Sequence, residues 1–148
     1  MANTIKLKKY LDVIEEYVAA GAITPGHLVK FNSNGKVEFH DGENENAIPM
    51  FALEDELQGK TIDQAYAQDD PVQVWVAQRG EHVNALLAAS EEVVAGDFLC
   101  SAGDGTLKKH VEDTDSGGVE VHGLQIVAQA LEAVTTTAST ARIKVRIV

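Results

Sequence analysis

The sequence predicts a mainly β fold, a small barrel or sandwich, and three observations lead there. Short apolar runs alternate with turn signals from Ala22 onward, the signature of many short strands. The closing stretch RIKVRIV puts Ile143, Val145 and Ile147 on one face and Arg142, Lys144 and Arg146 on the other, a strand period of two. Finally, GHLVKFNSNGKVEFH at 26–40 is echoed without a gap by GDFLCSAGDGTLKKH at 96–110.

Taken in order, LVKF and KVEFH flank Asn34-Gly35, a dipeptide that accepts the positive φ of a tight hairpin turn. Residues 41–47 read as a polar turn, and IPMFAL as a strand with Pro49 near its start. Gly59-Lys60-Thr61 leads into IDQAY, where Thr61 and Gln64 have the spacing of a capping box and predict one short helix. VQVWVA at 72–77 is an alternating strand, and Arg79-Gly80 separates it from HVNALLA. FLCS and TLKKHV flank Asp104-Gly105, and EDTDSGG at 112–118 reads as an acidic loop. LQIVAQALEAV reads as a strand with a bulge, TTTAST as a polar link, and RIKVRIV as the last strand.

The echo extends past the histidines. Gly26 matches Gly96, Gly35 matches Gly105 and His40 matches His110; Ala52-Leu53-Glu54 then follows the first copy and Ala130-Leu131-Glu132 the second. Two β units are expected, about 22–80 and 93–148, within one β-rich domain spanning 22–148. Residues 1–21 stand apart as an N-terminal arm. Leu7, Leu11, Ile14 and Val18 recur at helical spacing, yet Val13, Ile14, Tyr17 and Val18 are strand formers, so helix and strand both stay open. The arm either packs on its own domain or finds its apolar partner on another chain.

Composition narrows the function classes. With 148 residues, 45% hydrophobic and 24% charged, the chain suits one folded domain. A net charge of -11 argues against duplex nucleic acid as a partner, since phosphate neutralisation needs clustered Lys and Arg. No apolar run approaches the length that spans a bilayer, so no membrane partner is expected. Residues 1–20 lack the apolar core of a secretion signal, which points to synthesis in the cytoplasm. A single cysteine, Cys100, excludes an internal disulfide and reads as a small buried hydrophobe.

No pattern asks for catalysis, a cofactor or a metal. His27, His40, His82, His110 and His122 show no ligand spacing, and neither a phosphate loop nor a nucleophile elbow is present. Glu54-Asp55-Glu56, with Asp63, Asp69 and Asp70, reads as solvated charge in a polar connection rather than as paired catalytic carboxylates. What remains is surface for binding. Candidate contact residues are Leu7, Tyr10, Leu11, Ile14, Tyr17 and Val18 on the arm, and Trp75, which is either a sheet residue or an interface anchor. The basic stripe Arg142, Lys144 and Arg146 joins them.

AITPGHLVKF, NGKVEFH, PMFALEDELQGKTIDQAY, VAGDFLCSAGDGTLKKH, IVAQALEAV and ARIKVRIV together resemble the head decoration (capsid cement) proteins of tailed bacteriophages. The resemblance implies a small β domain on the outer surface of the mature, expanded capsid. It implies the major capsid protein as partner, and self-association as a trimer or a dimer. It implies no catalytic residues. Under it the segment 1–21 is the arm that reaches onto the capsid. A phage tail or baseplate protein, or a non-viral ligand-binding β domain, would carry similar turn and strand patterns.

Overall fold

The computed structural model describes residues 2–112 and 124–148. Most of the acidic loop expected at 112–118, and His122, lie outside the described residues. Thirteen strands are present among the described residues: β1 (Lys6–Lys8), β2 (Ile14–Val18), β3 (Val29–Phe31), β4 (Val37–Phe39), β5 (Met50–Ala52), β6 (Pro71–Val76), β7 (His82–Leu87), β8 (Glu92–Val93), β9 (Phe98–Ser101), β10 (Leu107–Lys109), β11 (Ala128–Ala130), β12 (Val134–Thr135) and β13 (Ala141–Ile147). The mainly β, barrel-type fold expected from the sequence is therefore what the chain adopts.

The strands close two small barrels. In the second, β7 pairs with β10 in parallel, and β10–β9, β9–β11, β11–β13 and β13–β7 are antiparallel, which returns the sheet to its start. In the first, β2 pairs with β6, β6 with β5 and β3 with β4; the bridges Leu28–Phe51 and Ala19–Val37 close the ring. The two circuits are equivalent bond by bond. Gly26 N–H donates to Ala52 O (2.8 Å) and Gly96 N–H to Ala130 O (2.9 Å); His40 N–H donates to Leu28 O and His110 N–H to Phe98 O, both at 2.8 Å. Ala20 N–H donates to Val37 O (2.7 Å) as Ala88 N–H does to Leu107 O (2.8 Å).

The equivalence corrects where each unit begins. It includes β2 and β7, so each unit opens one strand earlier than the expected starts at residues 22 and 93. No side-chain echo marks those strands, because they match through backbone pairing alone: Val76 N–H donates to Val13 O (3.0 Å), and Ile147 N–H to Glu81 O (2.9 Å). For the same reason residues 1–21 do not stand apart in this chain. β1 pairs with β7, β2 with β6, and Ile5 and Ala19 are fully buried.

Interior positions also correspond. Ala19, Val29, Val37, Ala52, Val72 and Val74 fill the first barrel; Leu87, Leu99, Leu107, Ala130, Ile143 and Val145 fill the second. The first barrel has a second apolar layer on its outside, where Leu28, Phe51 and Trp75 join the core of the second barrel. Trp75 is thus buried on a strand whose valines face the opposite way, and at about 25 cal/mol per Å2 its roughly 200 Å2 contributes about 5 kcal/mol. This places Trp75 in the junction between barrels and removes it from the exposed contact candidates.

The expected helix at 61–66 does not form. Gln64 Oε1 accepts the Thr61 N–H (2.7 Å), one of the two capping contacts, and Gln64 N–H donates to the backbone O of Thr61 (3.1 Å), but Tyr66 is drawn into the first barrel. There its N–H donates to Ile23 O (2.8 Å) and its hydroxyl to Leu53 O (2.7 Å), which ends the turn. A single 3-10 turn occupies Glu56–Gln58 instead, stopped by Gly59 at φ +67°. The expected single strand 124–134 is split between β11 and β12, and β12 pairs with β8.

Candidate functional surface

One row of side chains runs across five strands on the outside of the second barrel. The registers Lys8–His82, His82–Arg146, Arg146–Gln129 and Gln129–Phe98 set these residues side by side, since directly opposed residues share a face. The equivalent row of the first barrel is Ile14, Trp75, Phe51 and Leu28. The contrast is chemical. The first row is largely apolar and mostly buried by the neighbouring barrel; the second carries Lys8, His82, Arg146 and Gln129, with Phe98 47% exposed at its end.

Positive charge concentrates there on an acidic chain. Burial pushes the His82 imidazole below its usual range, and the charges of Lys8, Lys144 and Arg146 push it the same way. Arg146 donates to Gln129 Oε1 (2.6 Å) and keeps its exposed position, and Lys144 is exposed beside it. Arg142, at the other end of the stripe, is not free. Its guanidinium donates to the carbonyls of Pro25 (2.7 Å) and Ile62, and it lies 3.5 Å from Asp63. The fork geometry of arginine suits two carbonyls held at different points of the first unit, so Arg142 ties the barrels together. It leaves the contact set for that reason.

The arm candidates divide. Tyr10 and Leu11 are 65% and 58% exposed, Ile14 and Val18 lie on the outer face of β2, and Leu7 is half-buried on β1. Tyr17 is half-buried with its ring edge-on to Phe31 at 4.6 Å. Tyr10 stands next to the basic row, with Lys8 Nζ 5.4 Å from its ring centre. Tyr10 and Arg146, far apart in sequence, thus flank the Lys8–His82 pair of β1 and β7 from opposite sides.

Two buried acidic residues hold this region: Glu81, which sequence reasoning passed over, and Glu54, which it read as solvated charge. Glu81 is fully buried; Oε1 accepts the N–H groups of Tyr10 (2.7 Å) and Leu11 (2.8 Å), and Oε2 that of Gln78. An Arg-Gly-Glu turn gives no sign that its carboxylate collects amides from a distant segment. Glu54 is also buried and accepts the Ile5 N–H at 3.1 Å, while Asp55 is buried beside Lys60. The reading of 54–55 as solvated charge is corrected accordingly: Glu54 is buried against the residue that leads into β1, and Asp55 is buried beside Lys60. Leu57, after them, is 83% exposed.

Elsewhere the titratable groups have structural surroundings. His40 is buried, its Nδ1 2.9 Å from Ser101 Oγ and its Nε2 3.2 Å from Asn46 O. His27 Nδ1 accepts the Thr24 N–H (3.2 Å), and burial lowers its proton affinity against a weaker pull from Asp104. Cys100 is buried, which pushes its thiol up and away from the reactive thiolate. Among the described residues no group of three or more His, Cys, Asp or Glu is arranged to hold a metal ion.

No family model matches the chain, and no curated protein matches it. Among solved structures it is similar to the N base of the head fiber protein gp8.5 of bacteriophage phi29. The TM-score is 0.58 at 14% identity, over 93% of this chain and 95% of that one. At that identity the likeness shows a shared fold across the length of both chains.

Proposed function

We propose that this chain is a structural protein of a phage virion that attaches to the outer surface of the mature, expanded capsid and stabilises it by bridging neighbouring capsomers. The observation that carries the reading is the fold likeness, over nearly all of both chains, to the base of a phage head fiber. The resemblance of the sequence to capsid cement proteins points the same way. On this reading the major capsid protein is the partner, and the chain works as an oligomer, a trimer as the resemblance implies. The row Lys8, His82, Arg146 and Phe98, with Tyr10 and Lys144 beside it, is the face offered to the shell.

The chemistry suits a passive clamp. Two closed barrels locked by a shared core leave little to deform, so contact area translates into resistance to outward pressure. Many equivalent sites on one shell let an oligomer engage several at once and multiply a modest affinity. Preference for the expanded lattice adds its binding free energy to that state. Heads carrying the protein should retain their DNA to higher temperature than bare heads, and Lys144→Glu with Arg146→Glu should remove the difference. Release at the same temperature with and without the protein would contradict the proposal.

A further inference from the structure

The two barrels are equivalent in pairing but not in how their opening strands are covered. In β7 the N–H groups of alternate residues point away from β13; Asn84 N–H donates to Ile5 O (2.8 Å), and Asn84 Nδ2 to Thr4 O (3.3 Å). β1 thus lies along the outer edge of β7, with Lys6 opposite Val83 and Lys8 opposite His82. In β2 the same alternation holds. Val13, Ala19 and their odd-numbered neighbours bond towards β6, as Val76 N–H to Val13 O (3.0 Å) and Ala19 N–H to Asp70 O (2.9 Å) show. Ala20 N–H turns the other way, to Val37 O. Ile14 and Glu16 therefore direct their N–H and C=O groups to the side opposite β6, while at Val18 the outer edge is already met by β4 through the parallel Ala19–Val37 bridge. Among the described residues no strand pairs with these two there, and both are exposed.

We infer that the free edge of β2 accepts an extended, lysine-bearing segment of a partner protein, adding a strand as β1 does to β7. Glu16 takes the place that Asn84 holds in the second unit, and Glu15 that of Val83, so the edge that β1 covers in one barrel is acidic in the other. A strand with alternating lysines places one lysine opposite Glu15, where directly opposed unlike charges attract. The pairing supplies affinity through backbone bonds, and the two glutamates supply selection for a basic strand. β1 itself, sequence IKLKK from Ile5, is an example of the occupant that the equivalent edge takes. This inference concerns strand pairing and does not rest on the virion reading.

The test uses the full chain and a labelled peptide NTIKLKK, the sequence of residues 3–9. Saturable binding is expected, weakening as salt rises, with new protection from exchange at the amides of Ile14 and Glu16 but not at Glu15 or Tyr17. The same peptide N-methylated at alternate residues cannot pair, and should bind about tenfold more weakly, the loss of one or two backbone hydrogen bonds. Glu16→Pro removes only an outward N–H, a position where an edge strand tolerates proline, and should weaken binding to a similar extent. Equal binding of the methylated and unmethylated peptides would overturn the inference. So would protection at acidic sites outside β2, or no binding at all. Because the peptide assay contains no capsid, its failure is separate from any failure to bind heads.

Discussion

Alanine at Gly105 and alanine at Gly35 should cost different amounts, although the two glycines are equivalent in the duplicated fold. Both are left-handed, at φ +80° and +73°. The left-handed conformation costs a non-glycine residue about 1–2 kcal/mol, and the smaller freedom of the unfolded chain returns about 0.4–1 kcal/mol, leaving about 1 kcal/mol at each site. The surroundings then separate them. A Cβ at Gly35 meets nothing within 4 Å, whereas one at Gly105 lies 2.8 Å from Phe39 Cβ and 2.9 Å from His27 Cγ. Those atoms sit close to the backbone of the first barrel and cannot rotate away, so overpacking adds about 1–3 kcal/mol. At about 2–4 °C per kcal/mol for a chain of this size, Gly35→Ala should lower Tm by about 2–4 °C and Gly105→Ala by about 5–15 °C. Calorimetry and urea melts of both variants measure the difference. Equal losses would refute the close approach of the Asp104-Gly105 turn to the first barrel.

Two further outcomes follow from the junction between the barrels. Arg142→Lys gives up the forked reach to Pro25 and Ile62 and leaves at least one carbonyl unpaired. It should cost about 1–3 kcal/mol in a urea melt, and an unchanged midpoint would show that Arg142 is not a tie. For pH, His27 is held neutral by burial, so its folded pKa lies below its ordinary 6.5 and the unfolded chain binds more protons in acid. Stability is then full above pH 6.5 and falls progressively as pH drops below it, whereas Asp12, Asp41 and Asp97, lowered by hydrogen bonds, lose theirs only below about 3.8. Urea midpoints at pH 7.5 and 5.5 should differ in the wild type, and the difference should narrow in His27→Gln, the remainder coming from the likewise lowered His82; a wild-type midpoint flat across that range would contradict this account.

What could be read in advance was whatever a short stretch decides for itself. Asn34-Gly35 and Asp104-Gly105 form their turns because positive φ is a local requirement, and Ile143, Val145 and Ile147 face inward because one side of β13 is polar. The rest depends on partners distant in sequence. VQVWVA gave no means of telling which of its faces is covered, since β6 buries both: its valines fill one barrel and Trp75 the junction with the other. Gln64 makes its capping contact to the Thr61 N–H, but Tyr66 gains more from the barrel interior than a short helix would give it. Glu54 and Glu81 look like surface charge until the amides of Ile5, Tyr10 and Leu11 arrive from the N-terminal segment. Of the candidate contact residues, Lys144, Arg146, Tyr10 and Leu11 are exposed, while Trp75 and Arg142 hold the barrels together.

The central claim is attachment to the mature shell, and co-sedimentation tests it most directly. Purified protein is mixed with expanded, undecorated phage heads and, separately, with unexpanded precursor heads, and the pelleted protein is measured across a concentration series. The account predicts saturable pelleting with expanded heads alone, at a fixed number of copies per head. Protein that stays in the supernatant with both kinds of head, or pellets equally with both, would contradict it.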